Sequence, residues 1–238
     1  MKLDFLVFAA HPDDAELSMG GTIANLTSDK IKVGIIDLTK GEMSTRGNLK
    51  IRARETKEAS HILKISAREN LGLKDGNISL SKSALKNVVA VIRKHKPKIV
   101  FAPYLNDRHP DHVDTSNLVK RAFFNSGLKR FETTQRGKAQ LPYRPKKLFY
   151  YMQTYTFKPT FIVDISDHFK TKMKAVKAFN SQFHNPKLKE KDTFISRPEF
   201  LDYIEARARF YGFQIQKKYG EPFCCEEEIE LDLNFLFK

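Results

Sequence analysis

The chain has 238 residues, 41% of them apolar and 11% aromatic, which suits one large α/β domain with a substantial core. Its formal charge is +14, and its only two cysteines are adjacent, Cys224 and Cys225. A disulfide framework is thereby excluded, no run of eighteen apolar residues offers a membrane span, and a reducing, cytoplasmic compartment is expected. The N-terminus carries one lysine before a short apolar run and makes a poor signal peptide.

Residues 3–10 predict a buried strand ending in His11-Pro12-Asp13-Asp14. A helix is predicted over 16–29, its start crowded with acids. A second strand covers 32–39, with Val33, Ile35, Ile36 and Leu38 apolar. The loop 40–47 is bounded by glycines, and Asn48 caps a helix carrying Ile51, Ala59, Ile62 and Leu63 at helical spacing. Residues 69–73 read as a short strand. The next helix, 81–96, buries Leu85, Val88, Val89 and Ile92 and is stopped by Pro97. A strand over 98–102 leads to His109-Pro110-Asp111-His112 and a helix over 112–126. A polar loop, 129–144, precedes strands at 147–154 and 160–165 and helices at 167–182 and 198–211. The end, 226–238, is acidic and then apolar, as a docking tail or subunit contact would be; a homo-oligomer is expected.

This alternation predicts one Rossmann-like α/β unit over 1–238: a mostly parallel sheet, right-handed crossovers, helices on both faces, and an extended C-terminal part. Ligands of such sheets bind at the carboxyl ends of the strands, where both His-Pro-Asp motifs lie. No G-x-G-x-x-G follows the first strand, which argues against a dinucleotide enzyme.

Together the two motifs bring three histidines and three aspartates to one crevice. Catalytic zinc takes three imidazole or carboxylate groups and a water, so this set can hold a metal and still leave an acid and a base. Either motif alone is no more than a strand-to-helix turn with an aspartate cap. Adjacent aspartates, Asp13 and Asp14, point in different directions from a turn, so one can bind metal while the other faces the water. The pattern fits metal-assisted hydrolysis. The lysines and arginines are spread from Lys30 to Lys218 without a dense block or a nucleic-acid module. They read as a solvated surface or as a field for a small anionic substrate. Neither nucleic acid nor membrane is an expected partner.

At these residues the sequence resembles the LmbE-like, or PIG-L-like, family of zinc-dependent N-acetylglucosamine deacetylases. Residues 10–16 match its A-H-P-D-D-x-E motif, and 109–112 its H-P-D-H motif. Gly20-Gly21-Thr22 matches its small-residue turn, and Arg52-Ala53-Arg54-Glu55 its R-x-x-E helix. The pieces 181–186 and 218–223 look like the bacillithiol branch, which deacetylates N-acetylglucosaminyl-malate. The resemblance implies one zinc on His11, Asp14 and His112, with Asp13 as general base. It implies that His109 stabilises the oxyanion or protonates the leaving amine, and that Asp111 orients a histidine, His109 being favoured. Arg52 would reach a substrate hydroxyl or carboxylate, with Arg54 a competing candidate. The implied enzyme is a hydrolase of linear amide bonds, acting on a small and anionic amino-sugar conjugate.

Rival readings are a deacetylase or amidase on another amino-sugar conjugate, and a non-catalytic anion- or nucleic-acid-binding Rossmann domain. His61, His95, His168 and His184 read as surface residues. Glu16 reads as a brace for the first helix, Met43, Ser44 and Thr45 as part of a closing loop, and Gln182, Tyr219 and Glu221 as pocket candidates.

Overall fold

The computed structural model describes residues 1–185 and 191–230. Its strands are β1 (Phe5–Ala9), β2 (Val33–Asp37), β3 (Ala67–Asn70), β4 (Ile99–Pro103), β5 (Thr134–Gln135), β6 (Lys138–Ala139), β7 (Lys147–Tyr151), β8 (Phe161–Asp164) and β9 (Gly220–Cys224). Its helices are α1 (Asp14–Ser28), α2 (Leu49–Ile62), α3 (Lys82–His95), α4 (Pro110–Ser126), α5 (Phe169–Ala178) and α6 (Pro198–Gln214). Seven strands form one sheet in the order β3-β2-β1-β4-β7-β9-β8. The first five in that order run parallel, and β9 runs antiparallel between β7 and β8.

The two-residue period of β1 sets the layers. Leu6, Phe8 and Ala10 pack with Val88 and Ile92 of α3 and Leu118 of α4. Val7 and Ala9 pack on the other face with Ile23 of α1, Ala59 of α2 and Val176 of α5. Both faces are covered, as the apolar runs of a parallel sheet require. The chain thus has the expected Rossmann-like architecture. β1 pairs with β2 on one side and β4 on the other, so the strand order reverses between β1 and β4. Such a switch point opens a crevice at the carboxyl ends of the two strands.

Helix α1 is broken at Met19 (φ −137°), and the carboxylate of Glu221 on β9 serves its second half. Glu221 accepts from the main-chain nitrogens of Gly21 (3.0 Å) and Thr22 (2.6 Å) and from the Thr22 hydroxyl. Lys172 Nζ of α5 lies 2.6 Å from the same carboxylate. A Cβ on Gly21 would come within 2.7 Å of Ile165, so only glycine lets α1 approach there.

Three expectations are corrected. The sequence pattern showed no strand at β9, because Gly220, Glu221 and Pro222 are poor strand formers. Pro222 is accommodated because it lies in register with Ile162, while the ladder to β7 involves only Phe223 and Cys224. The loop over 129–144 contains the β5–β6 hairpin, turned by Arg136 and Gly137 at positive φ. His95 is buried rather than at the surface, bonded to the Met1 carbonyl and to Glu69. Of the acidic end, Glu226 pairs with Lys120 and Glu227 with Lys147; Pro186 and residues 231–238 lie outside the described residues. Among the described residues no helix is long and apolar enough to cross a membrane.

Candidate active site

A cavity of about 360 Å³, a size common for small-ligand sites, opens over the carboxyl ends of β1 and β4. His11, Asp13 and Asp14 enter it from the β1–α1 turn, and His109 and His112 from the start of α4. The rings of His11, His109 and His112 form a triangle with centroids 4.8, 5.0 and 5.6 Å apart.

Each of two imidazoles is held by one edge and presents the other. His112 Nδ1 lies 2.8 Å from Asp107 Oδ1, which leaves Nε2 facing Asp14 Oδ1 at 3.3 Å. His11 Nε2 lies 3.0 Å from Asp75 Oδ1 and 3.3 Å from Asp111 Oδ2, which leaves Nδ1 at 3.5 Å from Asp14 Oδ2. Carboxylates on the far nitrogens fix the ring hydrogens there, the usual support of metal-binding histidines. Among the described residues two groups have ligand atoms close enough to share an ion: His11, Asp14 and His112, all buried, and His11, His109 and Asp111. Burial opposes charge on His112, but Asp14 and Asp107 outweigh it and hold the ring up to about 9. His11 is likewise held well above its ordinary value, against burial, by Asp111, Asp14 and Asp75.

Asp13 has a different setting. Its backbone is left-handed (φ 119°, ψ −26°), an unusual conformation for a residue with a Cβ. As the residue capping α1 it makes no side-chain cap bond, so its carboxylate is available to the cavity. Arg52 Nη2 of α2 donates to both Asp13 Oδ2 (2.9 Å) and the Pro12 carbonyl (2.6 Å). Burial pushes the Asp13 carboxyl up to about 7 against the pull of Arg52, with Asp14 adding to the rise. His109 Nδ1 accepts the main-chain N–H of Asp111 at 3.2 Å, so the ring's proton belongs on Nε2. Burial and the charges of His11 and His112 lower its basicity.

A model of the PIG-L family, described as GlcNAc-PI de-N-acetylase, matches residues 6–123. The diacetylchitobiose deacetylase of Thermococcus kodakarensis is 33% identical over 231 residues, 91% of this chain and 80% of that one. The chain belongs to the PIG-L family. A crystal structure of a conserved protein from Thermus thermophilus covers 97% of each chain at 34% identity and a TM-score of 0.87. The 4-carboxy-2-hydroxymuconate hydratase of Pseudomonas putida has the same fold at 17% identity and a TM-score of 0.79. That fold alone therefore does not fix the reaction, and the site of this PIG-L chain has to carry the argument.

The structure brings together His11, Asp13, Asp14, His109, Asp111 and His112, with Arg52 beside Asp13. One expected contact differs: the Asp111 carboxylate turns to His11, and only its main-chain N–H reaches His109. The Gly76 N–H holds Asp111 Oδ2 in that direction at 2.8 Å. Arg54 is exposed and lines no part of the cavity. Met43, Ser44, Thr45 and Gln182 line it, and Gln182 bonds to Ser44 and to the Arg46 carbonyl. Tyr219 and Glu221 do not; Tyr219 stacks on Phe169 at 3.9 Å, and Glu221 serves α1. Glu16 braces α1 through Arg68, which also grips Asp37.

Sequence reasoning missed Asp75, Asp107 and Arg207. Asp75 precedes a glycine and reads as a turn residue, although its Oδ2 also accepts the Met43 N–H of the 40–47 loop at 2.8 Å. Asp107 reads as a loop acid. Arg207 carried a usable signal: it stands in the buried stripe Ile204, Arg207, Ala208, Tyr211 of α6, where a charge is out of place.

Proposed function

We propose that this chain is a zinc-dependent N-deacetylase that releases acetate from an N-acetylglucosamine conjugate, with N-acetylglucosaminyl-malate as the preferred substrate. One observation carries the reading: His11 Nδ1, Asp14 and His112 Nε2 converge with their far nitrogens already held, while the neighbouring Asp13 carboxylate, steadied by Arg52, stands beside them outside the ligand group. That donor set, two imidazoles and one carboxylate, suits zinc with an open position for water. Bound there, the ion would acidify a water and polarise the acetamide carbonyl.

The chain's own residues supply the rest. Asp13 takes the proton of the attacking water, and Arg52 fixes its carboxylate for that transfer. His109 Nε2–H donates to the oxygen of the acetamide as negative charge builds on it. The proton held by Asp13 then passes to the amine nitrogen as the C–N bond breaks. Asp75 and Asp111 orient His11, and Asp107 orients His112. Arg52 also lines the cavity, where it is offered to a sugar hydroxyl. The malate preference is supported by the basic groups Arg108 and Arg207 on the cavity wall and by the resemblance of residues 218–223 to the bacillithiol branch.

The test is acetate release from N-acetylglucosaminyl-malate, diacetylchitobiose and methyl N-acetylglucosaminide, with and without a chelator. Zinc-dependent release, greatest on the malate conjugate, is expected. Release undiminished in metal-free protein, or none from any substrate, overturns the reading.

A further inference from the structure

Among the described residues three guanidinium groups line the cavity, and they are not equivalent. Arg52 is paired with Asp13. Arg108 is exposed at the rim, its Cζ 4.6 Å over the Phe194 ring. Arg207 is only 9% exposed, yet no carboxylate of the described residues pairs with it. Its Nη1 donates to the Gln153 carbonyl and its Nη2 to the Leu17 carbonyl at 3.4 Å, both neutral acceptors, and its Cζ lies 5.5 Å from the Tyr203 ring centroid. An arginine cannot shed its proton to escape burial, so the charge persists. Such a charge normally has a counterion. The buried carboxylate of Glu221 is taken by Lys172, Gly21 and Thr22.

A second orphan lies against it. The Gln153 Oε1 accepts from the Ser18 hydroxyl, while its buried Nε2 has no partner among the described residues, and Gln153 also lines the cavity. A cavity wall thus holds an uncompensated guanidinium and an unused amide donor on adjoining groups. Both want an acceptor, and the cation wants a negative one.

We propose that Arg207, assisted by Gln153 Nε2, is the specificity-determining group that selects substrates carrying a carboxylate on the aglycone. This rests on the deacetylase reading above, and it moves carboxylate recognition from Arg52, whose Nη2 is committed to Asp13 and Pro12, to helix α6. The carboxylate would supply the counterion that the fold withholds. In a walled cavity that attraction is screened less than one at the Arg108 rim.

The alternative is that Arg207 is only a strut between α1 and the chain after β7. The zinc-loaded full chain and its Arg207→Gln variant are compared on N-acetylglucosaminyl-malate and methyl N-acetylglucosaminide. The ratio of the two kcat/KM values should fall by about 10- to 100-fold in the variant, the usual loss for a hydrogen bond to a charged group, mainly through KM on the malate conjugate. Equal losses on both substrates would mean a strut and overturn the proposal. So would a ratio that falls only in Arg108→Gln. Gln153→Glu keeps the main-chain contact of Arg207 but gives it an internal counterion. It should lower the same ratio, and an unchanged ratio there overturns the proposal even if Arg207→Gln does not fold. A calorimetric arm needs no turnover. Glucosaminyl-malate should bind wild type at least about tenfold more tightly than Arg207→Gln. If no substrate is hydrolysed but this difference holds, the deacetylase reading fails and carboxylate recognition stands; equal binding sinks the recognition itself.

Discussion

The two His-Pro-Asp turns sit at the ends of neighbouring parallel strands, yet they present different chemistry. At the first, the chain turns left-handed at Asp13 and α1 begins one residue later. Asp14 Oδ2 accepts the His11 main-chain N–H at 2.8 Å, and both carboxylates face the cavity side. At the second, His109 is extended (φ −88°, ψ 121°) and Pro110 opens α4. There Asp111 falls in the first helical turn, and the imidazoles of His109 and His112 face the cavity instead. The first turn thus offers the cavity one ring and two carboxylates, the second two rings, and the two differ in the backbone angle at the capping residue.

The largest break in this division comes from removing a shared ligand. His112→Ala leaves two of three donors, so zinc measured by elemental analysis should fall from close to one per chain to near none, and acetate release with it. Chelation of the wild type should do the same and zinc should restore it. Full activity in metal-free His112→Ala would deny the second turn its part in the site.

A smaller loss separates the base from the ligands. Asp13→Asn keeps the shape of the first turn and should keep zinc, while turnover falls by roughly 10²–10⁴-fold, the usual contribution of a positioned base. If Asp13→Asn loses zinc while Asp14→Asn keeps it, the two aspartates have exchanged roles.

Much of this was legible in the chain. The alternation of strand and helix patterns gave the parallel half of the sheet, because those apolar runs are long and buried on both faces. The motif residues were legible as one group because their types and their place after neighbouring strands bring their side chains together. What was not legible depends on contacts between distant segments. Asp75 reaches His11 across 64 positions, and Asp107, though only five residues before His112, resembles an ordinary loop acid in sequence. β9 is held by register with β8 and by what Glu221 does for α1, neither of which is a local preference. The Arg52 contact with Asp13 spans 39 positions, and no local pattern announces it.

Those two acids sharpen the comparison further. His112 Nδ1 has one acidic partner, Asp107, whereas His11 Nε2 has two, Asp75 and Asp111. Asp107→Ala should therefore weaken zinc binding by about 10- to 100-fold, as loss of a supporting carboxylate does. Asp75→Ala should cost less, because Asp111 still holds the ring. Competition with a metal-sensitive dye would rank them, and an Asp75 effect equal to or larger than that of Asp107 would show that the first turn depends on the 40–47 loop through Met43.

The smallest expected effect tests the backbone angle itself. Asp13 and His109 both occupy the capping position of a helix, so replacing alanine by glycine carries the same capping benefit at either place. It also carries the same entropic cost in the unfolded chain. The two positions differ in φ, 119° against −88°. Alanine at 13 must hold a conformation that costs on the order of 1–3 kcal/mol, and glycine need not. The stability gain of Asp13→Gly over Asp13→Ala should exceed that of His109→Gly over His109→Ala by about 1 kcal/mol or more. For a chain of this size that is roughly 2–4 °C in Tm per kcal/mol. Both Asp13 variants lack the base and should be equally inactive, so thermal melting reads strain alone. Equal glycine gains at the two positions would mean that the first turn relaxes once its carboxylate is gone, and that Arg52 rather than the local backbone imposes the left-handed bend.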